Sequence, residues 1–166
     1  MDPDRAEETV GASEFTALGE AAQPRSLTVL TNHGLLPLDG RPNLYVRGTS
    51  EQVAAAYGNV VPDPVGADLA VLRLRTPHEE RPGLFESFIH SGSPAFPEDE
   101  LRAAALVADY GASDTALLDV AFGRARTQGR LPFELPRSMA AVEASRPDVP
   151  DDTEDPVFSY GHGLNL

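Results

Sequence analysis

A chain of 166 residues can enclose one ordinary hydrophobic core but is too short for a complete (β/α)8 barrel, which takes about 250 residues. Its composition, 41% hydrophobic and 23% charged, fits a soluble globular domain, and the formal net charge of −13 opposes binding to nucleic acid phosphates or anionic membranes. It has no cysteine and no lysine, all 13 basic residues being arginine, which excludes thiol nucleophiles, disulfides, cysteine-ligated zinc, Schiff-base catalysis and a lysine-dependent phosphate loop.

The N-terminal MDPDRAEETVG is acidic and lacks the apolar centre of a signal peptide, so a cytoplasmic location is the default expectation. No apolar run approaches a membrane span. Residues 4–23 read as a helix with Val10, Phe15, Leu18 and Ala22 roughly on one face, and Pro24 is expected to end or kink it. LTVLT at 27–31 reads as a strand running into a turn marked by Gly34 and Pro37. Asn43–Arg47 is a second strand, followed by a helix with Ser50 as N-cap and Gly58 as stop.

Asp68–Arg75 (DLAVLRLR) is the clearest strand, with Leu69, Val71 and, by register, Arg73 facing one way and Ala70, Leu72 and Leu74 the other. A polar loop, TPHEERPG, follows; LFESFIHSG then reads as a short helix, and PEDEL starts another with Pro97 near its first turn. Ala105–Tyr110 is a strand entering a Gly-Ala-Ser turn. Ser113 caps the helix DTALLDVAFG, and Gly123 stops it. LPFELP reads as extended chain, and the acidic, proline-rich 145–156 as an exposed strap or a disordered stretch. Strands alternating with helices, without internal repeats, point to a layered α/β domain.

Four segments, in order, resemble the C-terminal domain of family 3 glycoside hydrolases. SLTVLTNHGLLPL at 26–38 resembles the family's first strand and its Asn, Gly-Leu-Leu-Pro-Leu turn. ADLAVLRLR at 67–75 resembles the strand leading to the active-site loop. Residues 112–123 and 129–137 resemble the helix and the Gly-basic-Leu-Pro-Phe signature, with DYGASD in place of the family's usual turn, and FSYGHGL at 158–164 resembles the closing motif. The resemblance implies an α/β sandwich with a mostly parallel sheet. It also implies that one βα unit of about 30 residues is missing between Leu101 and Ala105. The implied parts are a linker helix over 1–26, the sandwich over 27–144, and the strap with its GHGL ending over 145–166.

Members of that family are retaining glycosidases, typified by β-glucosidases. One carboxylate attacks the anomeric carbon while a carboxylic acid about 5–5.5 Å away protonates the leaving oxygen. The resemblance places the acid/base on the loop after ADLAVLRLR. Glu79 is the candidate and Glu80 the alternative, with Arg81 and His78 as weak substrate-binding candidates; a solvated charged loop is the plain reading of the same residues. The aspartate nucleophile belongs to the family's barrel domain, which these residues do not include. The fragment is therefore expected to be inactive alone, with a β-glycoside as substrate and a separately encoded barrel as a possible partner. A non-catalytic carbohydrate-binding or interaction remnant is the alternative. No cofactor and no metal are expected; the carboxylates at 151, 152, 154 and 155 lack the glycine turn and spacing of a calcium loop. Asp114 and Asp119 read as a helix-dipole partner and a solvated residue, and His162 as a turn residue.

Overall fold

The computed structural model describes residue 6 and residues 9–74, 103–146 and 148–166, with the backbone alone at 78–79 and 88–89. The expected α/β class holds. The central sheet is parallel, in the order β3 (Asn59–Val60), β2 (Asn43–Arg47), β4 (Leu69–Leu72). β1 (Thr28–Asn32) pairs antiparallel with β7 (Ala105–Ala108), with an irregularity in register between Val29 and Thr31. β5 (His78–Glu79) and β6 (Phe88–Ile89) form a third, antiparallel pair. The short helix expected across LFESFIHSG is thus corrected at its described positions, because Phe88 and Ile89 belong to a ladder. The helix expected from PEDEL lies outside the described residues.

Alternation along β4 sets what faces inward. Leu69, Val71 and Arg73 are half-buried, whereas Ala70, Leu72 and Leu74 are exposed. On β2 the inward pair is Leu44 and Val46, in register with Leu69 and Val71. These side chains join Ala54, Tyr57 and Leu118 in one core cluster. A second cluster holds Leu27, Ala112, Ala116 and Val120. The helix α3 (Asp114–Ala121) contributes to both, so its two faces bind the parallel sheet to the β1–β7 pair. Full burial of Leu118 alone is worth about 2 kcal/mol. Ser113 caps this helix by accepting from the Ala116 N–H, as its sequence indicates, and Ser50 caps α2 (Glu51–Ala54) through the Val53 N–H.

The helix α1 (Ser13–Ser26) departs from expectation in two ways. Ala6 and Thr9 ahead of it are also helical, with Val10 N–H donating to Ala6 O, and the run breaks at Gly11 before α1 resumes and passes through Pro24 instead of stopping there. The proline removes a donor only in the last turn, where side chains serve the exposed carbonyls: Arg25 Nε donates to Ala21 O at 3.0 Å and Ser26 Oγ to Gln23 O at 2.8 Å. Its apolar face is also not packed into the body. No residue of α1 is buried, and Phe15 and Leu18 are 52% and 65% exposed.

The signature motifs prove to be structural closures. Asn32 Oδ1 accepts from the N–H groups of Leu35 and Leu36, and its Nδ2 donates to Leu36 O, which shapes the turn before the cis Leu36–Pro37 bond. Leu38 N–H then donates to Ala121 O at the end of α3. The GHGL segment lies against β1, with Leu164 N–H on Val29 O at 2.8 Å, and Leu131 N–H donates to His162 O at 2.9 Å. Leu30, Leu131 and Phe158 form the core beneath. Gly129 sits so close to the carbonyls of Ser26 and Leu27 that any Cβ would overlap them, and a Cβ on Gly163 would lie 2.6 Å from Gly129 O.

The described residues of the acidic 145–156 segment make specific contacts. Glu134 N–H donates to Pro150 O, Glu134 Oε2 accepts from Thr153 N–H, and Arg146 and Arg137 pair with Asp152 and Asp155. α4 (Met139–Ala144), capped by Ser138, leads into it.

Candidate functional site

The carboxyl ends of β2 and β4, where an open α/β sheet places its ligands, meet the end of β7 and the first turns of α2 and α3. At that junction the chain leaving β4 is gripped on both sides. Arg73 N–H donates to Arg47 O at 2.8 Å. Gly48, at φ +76°, packs so closely against Arg73 O that a side chain would not fit.

The Arg73 guanidinium spreads across the gap to β7. Its Nε donates to Asp109 Oδ2 at 2.7 Å, Nη1 to Asp114 Oδ1 at 2.7 Å, and Nη2 to Ala112 O. Each carboxylate also serves a second contact. Asp109 Oδ1 accepts from the N–H groups of Gly111 and Ala112, holding the turn before α3. Asp114 Oδ2 accepts from Ser50 N–H at 2.9 Å, joining the starts of α2 and α3. The neighbouring Ser113 N–H donates to Gln23 Oε1 at 2.7 Å, bringing α1 into the same network. Arg73 is 22% exposed, and Asp109 and Asp114 are 15% and 22%, so these contacts are largely sheltered from water.

This junction is the root of the loop that carries the candidate acid/base. The structure describes the backbone of His78 and Glu79, paired with Ile89 and Phe88. Their side chains, and Glu80 and Arg81 entirely, lie outside the described residues.

Two acidic residues have roles other than those read from sequence. Asp114 is a sheltered ion-pair partner, not a simple dipole partner. Asp119 is not merely solvated, because it accepts a hydrogen bond from Tyr57 Oη at 2.8 Å. Burial, then the bond to Asp119, raises the Tyr57 hydroxyl above its ordinary value of 10.0. Arg124 lies 4.2 Å from the centre of the same ring, and Phe122 packs beside it. His162 is a turn residue that also ties the closing motif to β1. Its Nε2 is 2.8 Å from Leu30 O, which requires a proton on that nitrogen, and its ring stacks on Phe158. The one sequence signal for the junction was Arg73 itself, a cation on the inward register of an amphipathic strand, which demands an anionic partner. Nothing local pointed to Asp109 as that partner.

Among the described residues no group of three or more His, Cys, Asp or Glu side chains is arranged to hold a metal ion. Also among them, no helix is long and apolar enough to cross a membrane.

No family model matches the chain. Curated relatives do. It is 38% identical over 199 residues to a protein named probable β-glucosidase C from Aspergillus flavus, covering 99% of this chain and 31% of that protein. It is 41% identical over 190 residues to β-glucosidase C from Emericella nidulans, covering 93% and 31%. A third relative, named periplasmic β-glucosidase/β-xylosidase, from Dickeya chrysanthemi, is 33% identical over 194 residues, covering 96% and 30%. The chain therefore spans under a third of the length of these relatives. The aligned span of 199 also exceeds the 166 residues of the chain, so the relative carries residues without a counterpart here. That agrees with the missing unit expected from sequence. The periplasmic name of the Dickeya relative lends no support to the default cytoplasmic expectation.

Proposed function

Because this chain matches one part of a β-glucosidase of the family 3 kind, we propose that it supplies the second domain of a retaining β-glucosidase, together with that enzyme's acid/base loop. The supporting observation is identity of 38% and 41% to β-glucosidases across nearly the whole chain, with 31% of each relative covered. On this reading residues 1–26 are a linker, 27–144 the sandwich domain and 145–166 the strap and closing motif. The nucleophile comes from the part of the enzyme outside the match, and these 166 residues alone do not turn over substrate.

Glu79 is the acid/base, protonating the leaving oxygen in the first step and deprotonating water in the second. Its loop follows a strand end held by Arg73, Asp109 and Asp114. Arg81 and His78, on the same loop, contact the substrate's leaving group. The substrate is a neutral β-glycoside, in keeping with the strongly acidic chain.

The test is Glu79→Gln in an active assembly of this chain with the remaining part of the enzyme. Turnover of a β-glucoside with a poor leaving group should fall about 10²–10⁴-fold, with a smaller loss for an activated aryl leaving group that needs no protonation. Equal losses on both substrates, or none, would remove Glu79 from this role, and the same experiment on Glu80→Gln decides for the neighbour. Glycan binding by the assembly without turnover would favour the non-catalytic remnant.

A further inference from the structure

We propose that Phe133 and Tyr160 form a carbohydrate-binding platform on which the flat faces of a β-linked glucosyl chain stack. The platform adds a binding surface to the proposed function, and its ligand class rests on that reading.

The first observation is a reversal of burial within the two closing motifs. In GRLPFELP, Leu131 is 2% exposed and belongs to the core with Leu30 and Phe158, and Leu135 packs against that core. Phe133, between them, is 43% exposed. In FSYGHGL, Phe158 lies in the same core and His162 stacks on it, whereas Tyr160, between them, is 55% exposed. Each motif buries its ends and presents one aromatic ring from its middle. Core packing accounts for neither ring, and aromatic surface left in water is a feature of binding surfaces.

The second observation is how the two rings are held. Leu131 N–H donates to His162 O and Gly161 N–H to Leu131 O, each at 2.9 Å. At the other end, Leu135 N–H donates to Phe158 O at 2.9 Å and Val157 N–H to Leu135 O at 2.8 Å. Phe133 therefore lies midway along one segment, across from Ser159 and Tyr160 on the other. Tyr160 sits at the corner of a turn closed by His162 N–H on Ser159 O at 3.0 Å, followed by Gly161 at φ +75°. Pro132 fixes the backbone just ahead of Phe133. Rings on so constrained a backbone lose little freedom when a ligand covers them.

The third observation selects the occupant. Pro132, Phe133, Ser159 and Tyr160 are all exposed and none carries a charge, in a chain of formal net charge −13. That surface suits a neutral ligand with an apolar face. A β-linked glucosyl unit has every ring substituent equatorial, so both of its faces present C–H bonds that pack on an aromatic ring while its hydroxyls keep their water. Ser159 and Tyr160 bring hydroxyl groups to the same turn, able to donate to and accept from the sugar's rim.

The test titrates the 166-residue protein with cellohexaose and, separately, with maltohexaose, whose α-linkages curl the chain away from a flat surface. Binding is read from backbone chemical shifts. Cellohexaose should bind saturably and more tightly than maltohexaose, with the largest shifts along residues 131–135 and 158–162. Phe133→Ala and Tyr160→Ala should each weaken binding at least about fivefold, whereas Phe133→Tyr and Tyr160→Phe, which keep a ring, should stay within about threefold of the parent. No binding of cellohexaose at about 10 mM, equal binding of maltohexaose, or undiminished binding by the Phe133→Ala/Tyr160→Ala double variant would overturn the proposal. β-Glucoside turnover by the assembled enzyme reports separately on function: binding at these rings without turnover keeps the platform and removes the enzymatic reading, and turnover without binding does the reverse.

Discussion

Arg73 and Asp114 lie 41 positions apart in sequence, and their side chains meet at 2.7 Å across the gap between β4 and α3. Asp109 shares the same guanidinium, so one cation holds two carboxylates together. Removing it leaves two sheltered like charges side by side. Arg73→Met should destabilise the chain by about 2 kcal/mol, below the range for fully buried pairs because all three groups keep some solvent contact. Asp114→Asn should cost about 1 kcal/mol, since the amide oxygen still accepts from Ser50 N–H. Urea melts of the single and double variants measure the coupling, and additive losses would show that the two residues act independently.

Glycines along the chain differ sharply in what they tolerate. Gly129→Ala and Gly163→Ala each force a methyl group into a backbone carbonyl, so each should lower stability by about 2–3 kcal/mol. Gly66 has open space around it and no left-handed φ, so Gly66→Ala should stay within about 0.5 kcal/mol of the parent. Thermal melts of the three variants decide the matter.

Tyr57 links α3 to the loop after α2 through its hydroxyl. Tyr57→Phe should cost about 1 kcal/mol by leaving Asp119 without that donor. The pH dependence has a definite sign. Because the folded hydroxyl titrates above 10.0, its contribution is fully present below pH 10.0 and lost as pH rises through the folded value. Alkaline melts of the parent should therefore decline more steeply than those of Tyr57→Phe, and parallel curves would contradict this.

The strap carries an acid-side counterpart. Hydrogen bonds from Arg146 hold the Asp152 carboxyl below its ordinary value of 3.8. Its contribution is present above pH 3.8 and lost as pH falls through the lower, folded value. In Arg146→Ala the backbone N–H bond to Asp152 remains but the guanidinium bond is lost, so the Asp152 carboxyl should titrate higher than in the parent, a change that carboxyl chemical shifts read directly.

The local rules were legible in the sequence. Ser50 and Ser113 cap the helices they precede, and the alternation of Leu69, Val71 and Arg73 along β4 matches the inward face of that strand. Interactions across long spans were not legible. The partners of Arg73, Asp114 and Tyr57 lie tens of residues away, and no spacing rule connects them. Pro24 illustrates a different limit: proline disfavours helix in general, but near an exposed C-terminus the loss is small and side chains make it good. The antiparallel pairing of β1 with β7 was likewise invisible, because both read only as short apolar strands. The candidate loop was reached through resemblance alone, as a charged HEER string has no distinguishing pattern of its own.

The most direct test of the central claim is the rate of chromogenic β-glucoside hydrolysis by the pure 166-residue protein, alone and after mixing with the remaining part of a relative's β-glucosidase. The expected result is no turnover by the chain alone and turnover on mixing that disappears when either component is omitted. Turnover by the chain alone, or none in a mixture where the two parts associate, would contradict it.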